Sequence, residues 1–133
     1  MIRKIFLTAV FIILLTHNLG ADAGDGYDLN TEVTLAGVVA GVDEGMRGPC
    51  VFTLLSSDKT YKVVTGPRWY LNQIGLAVKT QMSVVVTGSK FYDRNGGLYI
   101  SAFSIVIPSE SKTYRFRDSN SQSPLWHGHG RWR

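Results

Sequence analysis

One cysteine, Cys50, stands in a chain of 133 residues, so no disulfide can form within it and packing alone must hold the fold together. Histidine is almost as scarce: there are 3, His17, His127 and His129. None lies between His17 and His127, so a serine nucleophile in the body of the chain would have no imidazole base, and no nucleophile-elbow glycine pattern surrounds any serine. A helix spanning a bilayer needs roughly 20 apolar residues. The longest such run here, Ile5–Leu15, has 11. The sparse groups thus argue against disulfide scaffolds, triad hydrolases and polytopic membrane proteins.

The apolar run follows Arg3 and Lys4 and precedes Ala21-Asp22-Ala23. A basic start, a short apolar stretch and a small-x-small site predict a signal peptide over residues 1–23, cut before Gly24, and hence a periplasmic or secreted protein. No cysteine sits near the cut to carry a lipid, and no transmembrane helix follows it. The remaining 110 residues suffice for one small core and not for two, which excludes large multidomain enzymes. Their 12 basic and 9 acidic residues are unevenly placed: residues 112–133 hold 5 of the cations and one acid. A near-neutral body with a cationic end does not fit a domain that coats nucleic acid over its whole surface.

Residues 24–30 read as a flexible, glycine-rich lead-in. In Thr31–Val42 the apolar residues change face after Gly37, which predicts a bend or bulge there. Val51–Ser56 and Thr60–Thr65 form a hairpin around Ser57-Asp58-Lys59. Pro67 opens a short helix containing Trp69, Tyr70, Leu71 and Ile74, and Gly75 ends it. Gln81–Phe91 and Leu98–Ile107 form a second hairpin around Asp93–Gly97. The result is an all-β chain with one short helix: a five-stranded OB-fold-like Greek-key barrel over residues 31–108, its helix between strands 3 and 4. Residues 109–133 form a basic tail, partly docked through Leu125 and Trp126, with Gly128–Arg133 loose and Arg115, Arg117, Arg131 and Arg133 available to an anionic surface.

Gly66-Pro67-Arg68-Trp69-Tyr70-Leu71, Val84-Val85-Val86-Thr87-Gly88-Ser89 and Tyr114-Arg-Phe-Arg-Asp118 with Pro124-Leu-Trp126 together resemble a group of small exported bacterial OB-fold-like proteins. These share a GPxWYL segment after strand 3, a VxVTGS strand and a closing RDxxxxPLW element. The resemblance implies fold and export over residues 31–126, and no catalytic residue. The chain departs from the pattern at Thr80-Gln81, where Gly-Asp is expected, and at Pro49-Cys50-Val51-Phe52, where relatives carry histidine.

Ligands of such barrels lie on strands 2 and 3 and in the loops between strands 1 and 2 and strands 4 and 5, so Arg47, Tyr61, Lys62, Tyr92 and Arg94 are the candidate binding residues. Aromatic stacking beside cations also suits single-stranded nucleic acid, although Asp43, Glu44, Asp58 and Asp93 share the region. His127 and His129 form a weak alternative metal site, two ligands where zinc needs three or four. Cys50 reads as a small buried hydrophobe at a strand mouth, and Trp69 with Tyr70 as the apolar plug of one barrel end. The expected function is a non-enzymatic exported binding module without a cofactor. Its partner would be an envelope polymer, a small ligand or a protein. Nucleic-acid binding and metal binding by the His-Gly-His tail are the alternatives.

Overall fold

The computed structural model describes residues 26–43 and 48–129. The expected signal peptide, Arg47 and residues 130–133 lie outside them, as does the side chain of His129. Six strands follow in order: β1 (Glu32–Asp43), β2 (Val51–Ser56), β3 (Lys59–Val64), β4 (Ser83–Tyr92), β5 (Leu98–Ile107) and β6 (Lys112–Arg115). The helix α1 (Arg68–Ile74) lies between β3 and β4. β1 pairs antiparallel with both β2 and β4, β2 with β3, and β4 with β5. A parallel pairing of β3 with β5 closes the ring. The closed five-stranded mixed barrel is the architecture expected from the order of the elements.

Alternation along the strands sets the core. Phe52 and Leu54 of β2, Tyr61 and Val63 of β3, Val84 and Val86 of β4, and Ile100 and Ala102 of β5 all point inward and are buried. β2 and β3 meet in a two-residue turn, Ser57-Asp58, both at positive φ (48° and 66°), the backbone twist that a tight hairpin requires.

Two bulges bend the barrel. In β1, Val39 faces Leu54 and Gly41 faces Thr53, so Ala40 is the extra residue. The inward face therefore switches at Ala40 and not at Gly37, and Val38, before the bulge, points outward. Gly37 has a different role: a Cβ there would drive into the Leu55 carbonyl oxygen and the Leu54 side chain, so its lack of a side chain admits β2. In β5 the extra residue is Phe103, between Ala102 facing Gly88 and Ser104 facing Thr87. This bulge divides β5 between two neighbours. Tyr99–Ser101 pair with β3, and Ser104–Ile107 pair with β6.

One end of the barrel is sealed by α1 and by the chain after β6. Pro67 starts α1, and Gly75 ends it at φ 79° while the Leu76 N–H donates to the Leu71 carbonyl at 3.0 Å, a left-handed helix stop. The helix buries Tyr70 and Leu71 but leaves Trp69 40% exposed. Tyr70 is therefore the plug, and Trp69, expected beside it in the core, lies on the outer surface. The Tyr70 hydroxyl donates to the Arg115 carbonyl at 2.9 Å, and its ring lies 5.2 Å from that of Trp126. Trp126 in turn covers Gly66, where a Cβ would come within 2.8 Å of the indole.

The described residues before β1, from Gly26 on, are also tied down, within the stretch 24–30 where the sequence predicts a flexible lead-in. Tyr27 is 1% exposed, and its hydroxyl donates to Glu32 Oε2 at 2.6 Å. Arg117, expected in a solvated cationic tail, is 6% exposed and lies 5.0 Å over the Tyr27 ring. Its Nη1 donates to the Gln122 carbonyl at 2.8 Å and its Nη2 to Ser101 Oγ at 3.2 Å. Loss of water around Tyr27, with the Glu32 carboxylate next in importance, holds the phenol well above its ordinary range. A cation that reads from sequence as part of a solvated tail thus clasps the chain's early residues to the outside of β5.

Candidate functional site

Outward residues of the barrel strands line up across the sheet by register. Thr53 of β2 faces Lys62 of β3, Lys62 faces Tyr99 of β5, and Tyr99 faces Phe91 of β4. At a strand spacing of about 4.8 Å these four positions cross roughly 14 Å of barrel surface. The Phe91 and Tyr99 rings stack at 5.4 Å with an interplanar angle of 22°. Phe91 and Lys62 are exposed, and Tyr99 and Thr53 are half-buried. Beside this strip, Val38 of β1 and Leu55 of β2 face each other on the same outer surface and are both exposed.

The hairpin joining β4 to β5 borders the strip. Asp93 shapes it: its Oδ1 accepts from the Asn95 N–H at 3.0 Å and the Gly97 N–H at 2.7 Å, while its backbone N–H donates to the Gly97 carbonyl at 3.0 Å. That carboxylate, which counted against an anionic ligand in the sequence, is engaged in holding its own turn. Arg94 is exposed on this hairpin, and Tyr92, at the end of β4, is 65% exposed.

Of the residues expected to bind a ligand, Lys62 is in this strip and Arg94 is exposed on the hairpin that borders it, while Tyr92, exposed at the end of β4, follows Phe91 and so takes the opposite face of the strand. Tyr61 is not. It is 6% exposed in the core, because neighbours on a strand face opposite sides and Lys62 takes the outer one. Arg47 lies outside the described residues. Tyr99 and Phe91, which complete the strip, were not singled out from sequence. Their signal was available in strand parity: Ile100 and Ala102 read as inward, which turns Tyr99 outward.

Among the described residues, no group of three or more His, Cys, Asp or Glu side chains is placed to hold a metal ion. His127 follows Trp126, their rings 6.1 Å apart. No helix among the described residues is long and apolar enough to cross a membrane.

The architecture defines a small closed β-barrel that carries an exposed aromatic and cationic strip on its outer surface. The sequence matches the MamS/MamX magnetosome protein family over residues 31–110, and the chain belongs to that family. The matched region contains all five barrel strands and α1, and ends before β6. No curated protein matches the chain closely enough to stand as a relative.

Proposed function

We propose that this protein is an exported, non-enzymatic OB-fold binding module that works in the periplasm or cell envelope and holds its partner against the strip of Thr53, Lys62, Tyr99 and Phe91. The observation that carries the reading is the stacked Phe91–Tyr99 pair, kept in contact with water on the outer face and register-matched to Lys62. Exposed aromatic area is unfavourable in isolation and is retained on surfaces that bury it against something. Flat rings receive flat or apolar faces, and an ammonium beside them adds hydrogen bonds and charge. Sugar rings of an envelope polymer offer both apolar faces and hydroxyls. Export rests on Arg3, Lys4, the apolar run Ile5–Leu15 and Ala21–Ala23. The family's description as magnetosome proteins supports a setting at that organelle's membrane envelope.

The test is an amide chemical-shift titration of the isotopically labelled protein with soluble peptidoglycan fragments and, separately, with single-stranded DNA at two salt concentrations. Saturable shifts at Thr53, Lys62, Phe91 and Tyr99 with the glycan, lost in Phe91→Ser, are expected. Shifts with DNA alone that collapse as salt rises would replace this reading with the nucleic-acid one. Shifts that avoid the strip with both probes would remove it.

A further inference from the structure

The opposite, sealed end of the barrel holds a cavity of about 220 Å³ between α1, the ends of β1 and β2, and the chain leading to β4. Its walls are graded. Phe52, Leu71 and Leu76 are buried at its apolar side, Val42, Cys50, Val51 and Val78 are half-buried, and Asp43, Arg68 and Asn72 form an exposed polar rim. The strip of the proposed function lies on the outer face of the sheet, and none of its residues lines this cavity, so the two can be tested separately.

Size and lining together narrow what fits. A dry apolar cavity of about 150 Å³ accepts benzene. At about 220 Å³, this one has room for a ring of that size and a short polar head. The apolar side matches the ring, since burying it against Phe52, Leu71 and Leu76 removes it from water. Among the described residues the rim carries one carboxylate, one guanidinium and one amide, so both signs of charge meet a head group placed there. A singly charged head would gain from one rim residue and be repelled by the other; a head bearing an ammonium and a carboxylate together would gain from both.

We propose that this cavity is a binding site for a small amphipathic zwitterion, an apolar α-amino acid being the simplest case, with its side chain against Phe52, Leu71 and Leu76, its carboxylate toward Arg68 and its ammonium toward Asp43. Cys50, the chain's single cysteine, sits in the cavity wall and supplies the reporter. In the protein purified as the cell produces it, the rate of Cys50 alkylation by a small maleimide is measured against rising L-phenylalanine, phenylacetate and phenethylamine. Saturable protection by L-phenylalanine is expected, with each singly charged analogue needing at least about tenfold more. Calorimetric titration of the same three probes gives a readout independent of the thiol. Arg68→Gln and Asp43→Asn change exposed side chains, and circular dichroism of each variant confirms that it folds before it is titrated. Arg68→Gln should erase the preference for L-phenylalanine over phenethylamine, and Asp43→Asn the preference over phenylacetate. Absence of protection and of heat with all three probes overturns the site. Equal binding of L-phenylalanine and phenylacetate in the unaltered protein overturns the zwitterion assignment.

Discussion

The two ends of this barrel are finished in opposite ways. At the sealed end, α1 and the described residues after β6 provide the closure: Tyr70, Leu71, Phe116 and Trp126 pack together, and the Tyr70 hydroxyl is satisfied by the Arg115 carbonyl. At the other end, the turns of the β2–β3 and β4–β5 hairpins are mostly exposed among the described residues, and Phe91 and Tyr92 face solvent. Aromatic residues occur at both, so composition does not separate the ends. The difference lies in what each ring meets: packed neighbours at one end, solvent at the other.

The sharpest way to break that contrast is Tyr70→Ala. Deleting a buried aromatic side chain costs about 3–5 kcal/mol, and here it also leaves the Arg115 carbonyl without its partner, so a large drop in the thermal midpoint is expected. A midpoint within experimental error of the unaltered protein would mean that the sealed end is not where stability resides.

Alkaline titration comes next. Burial raises Tyr70, and burial together with Glu32 raises Tyr27 further, from the ordinary phenol value of 10.0. Because the folded values exceed the unfolded one, these two tyrosines contribute their full stability below pH 10.0. As the pH climbs past that value the unfolded chain ionises first and the contribution is lost. A plot of thermal midpoint against pH should fall above that point, and Tyr27→Phe should flatten it more than Tyr70→Phe. The reverse order would show that the Tyr27–Arg117 clasp is looser than its geometry.

The smallest stability effects belong to the exposed rings. Phe91→Ser should cost about 1 kcal/mol, mainly its stack on Tyr99. Trp69→Ala should lie near 0.5 kcal/mol, the usual range for surface changes. Both are read by urea unfolding. A loss at Phe91 comparable to that at Tyr70 would make the strip a structural element and remove its availability for a partner.

Much of the fold could be read from the chain because its signals are local. Pro67 and Gly75 bracket α1, Asp93–Gly97 marks a hairpin, and the alternation in β2 to β5 separates inside from outside. The errors share a physical cause, which is that they depend on distant partners or on phase. In a helix of seven residues, Trp69, Tyr70, Leu71 and Ile74 cover most of the circumference, so periodicity alone does not say which of Trp69 and Tyr70 faces in. Arg117 and Tyr27, 90 positions apart, each look solvated until they are brought together. The strip was half visible: Lys62 followed from its strand, while Tyr61 was assigned to the surface against the alternation that buries it, and Lys62 meets Tyr99 only through the pairing that closes the barrel.

The shared margin of β5 has a consequence for the boundaries of any shortened form. β3 covers its first half and β6 its second, so a protein ending at Ser111 would keep its closed ring yet bare the backbone groups of Ser104–Ile107. Uncovered strand of that kind recruits strand from a neighbouring molecule. Within this chain β6 occupies that edge, and a protein ending at Ser111 is expected to associate more readily than the whole chain when the two are compared by light scattering.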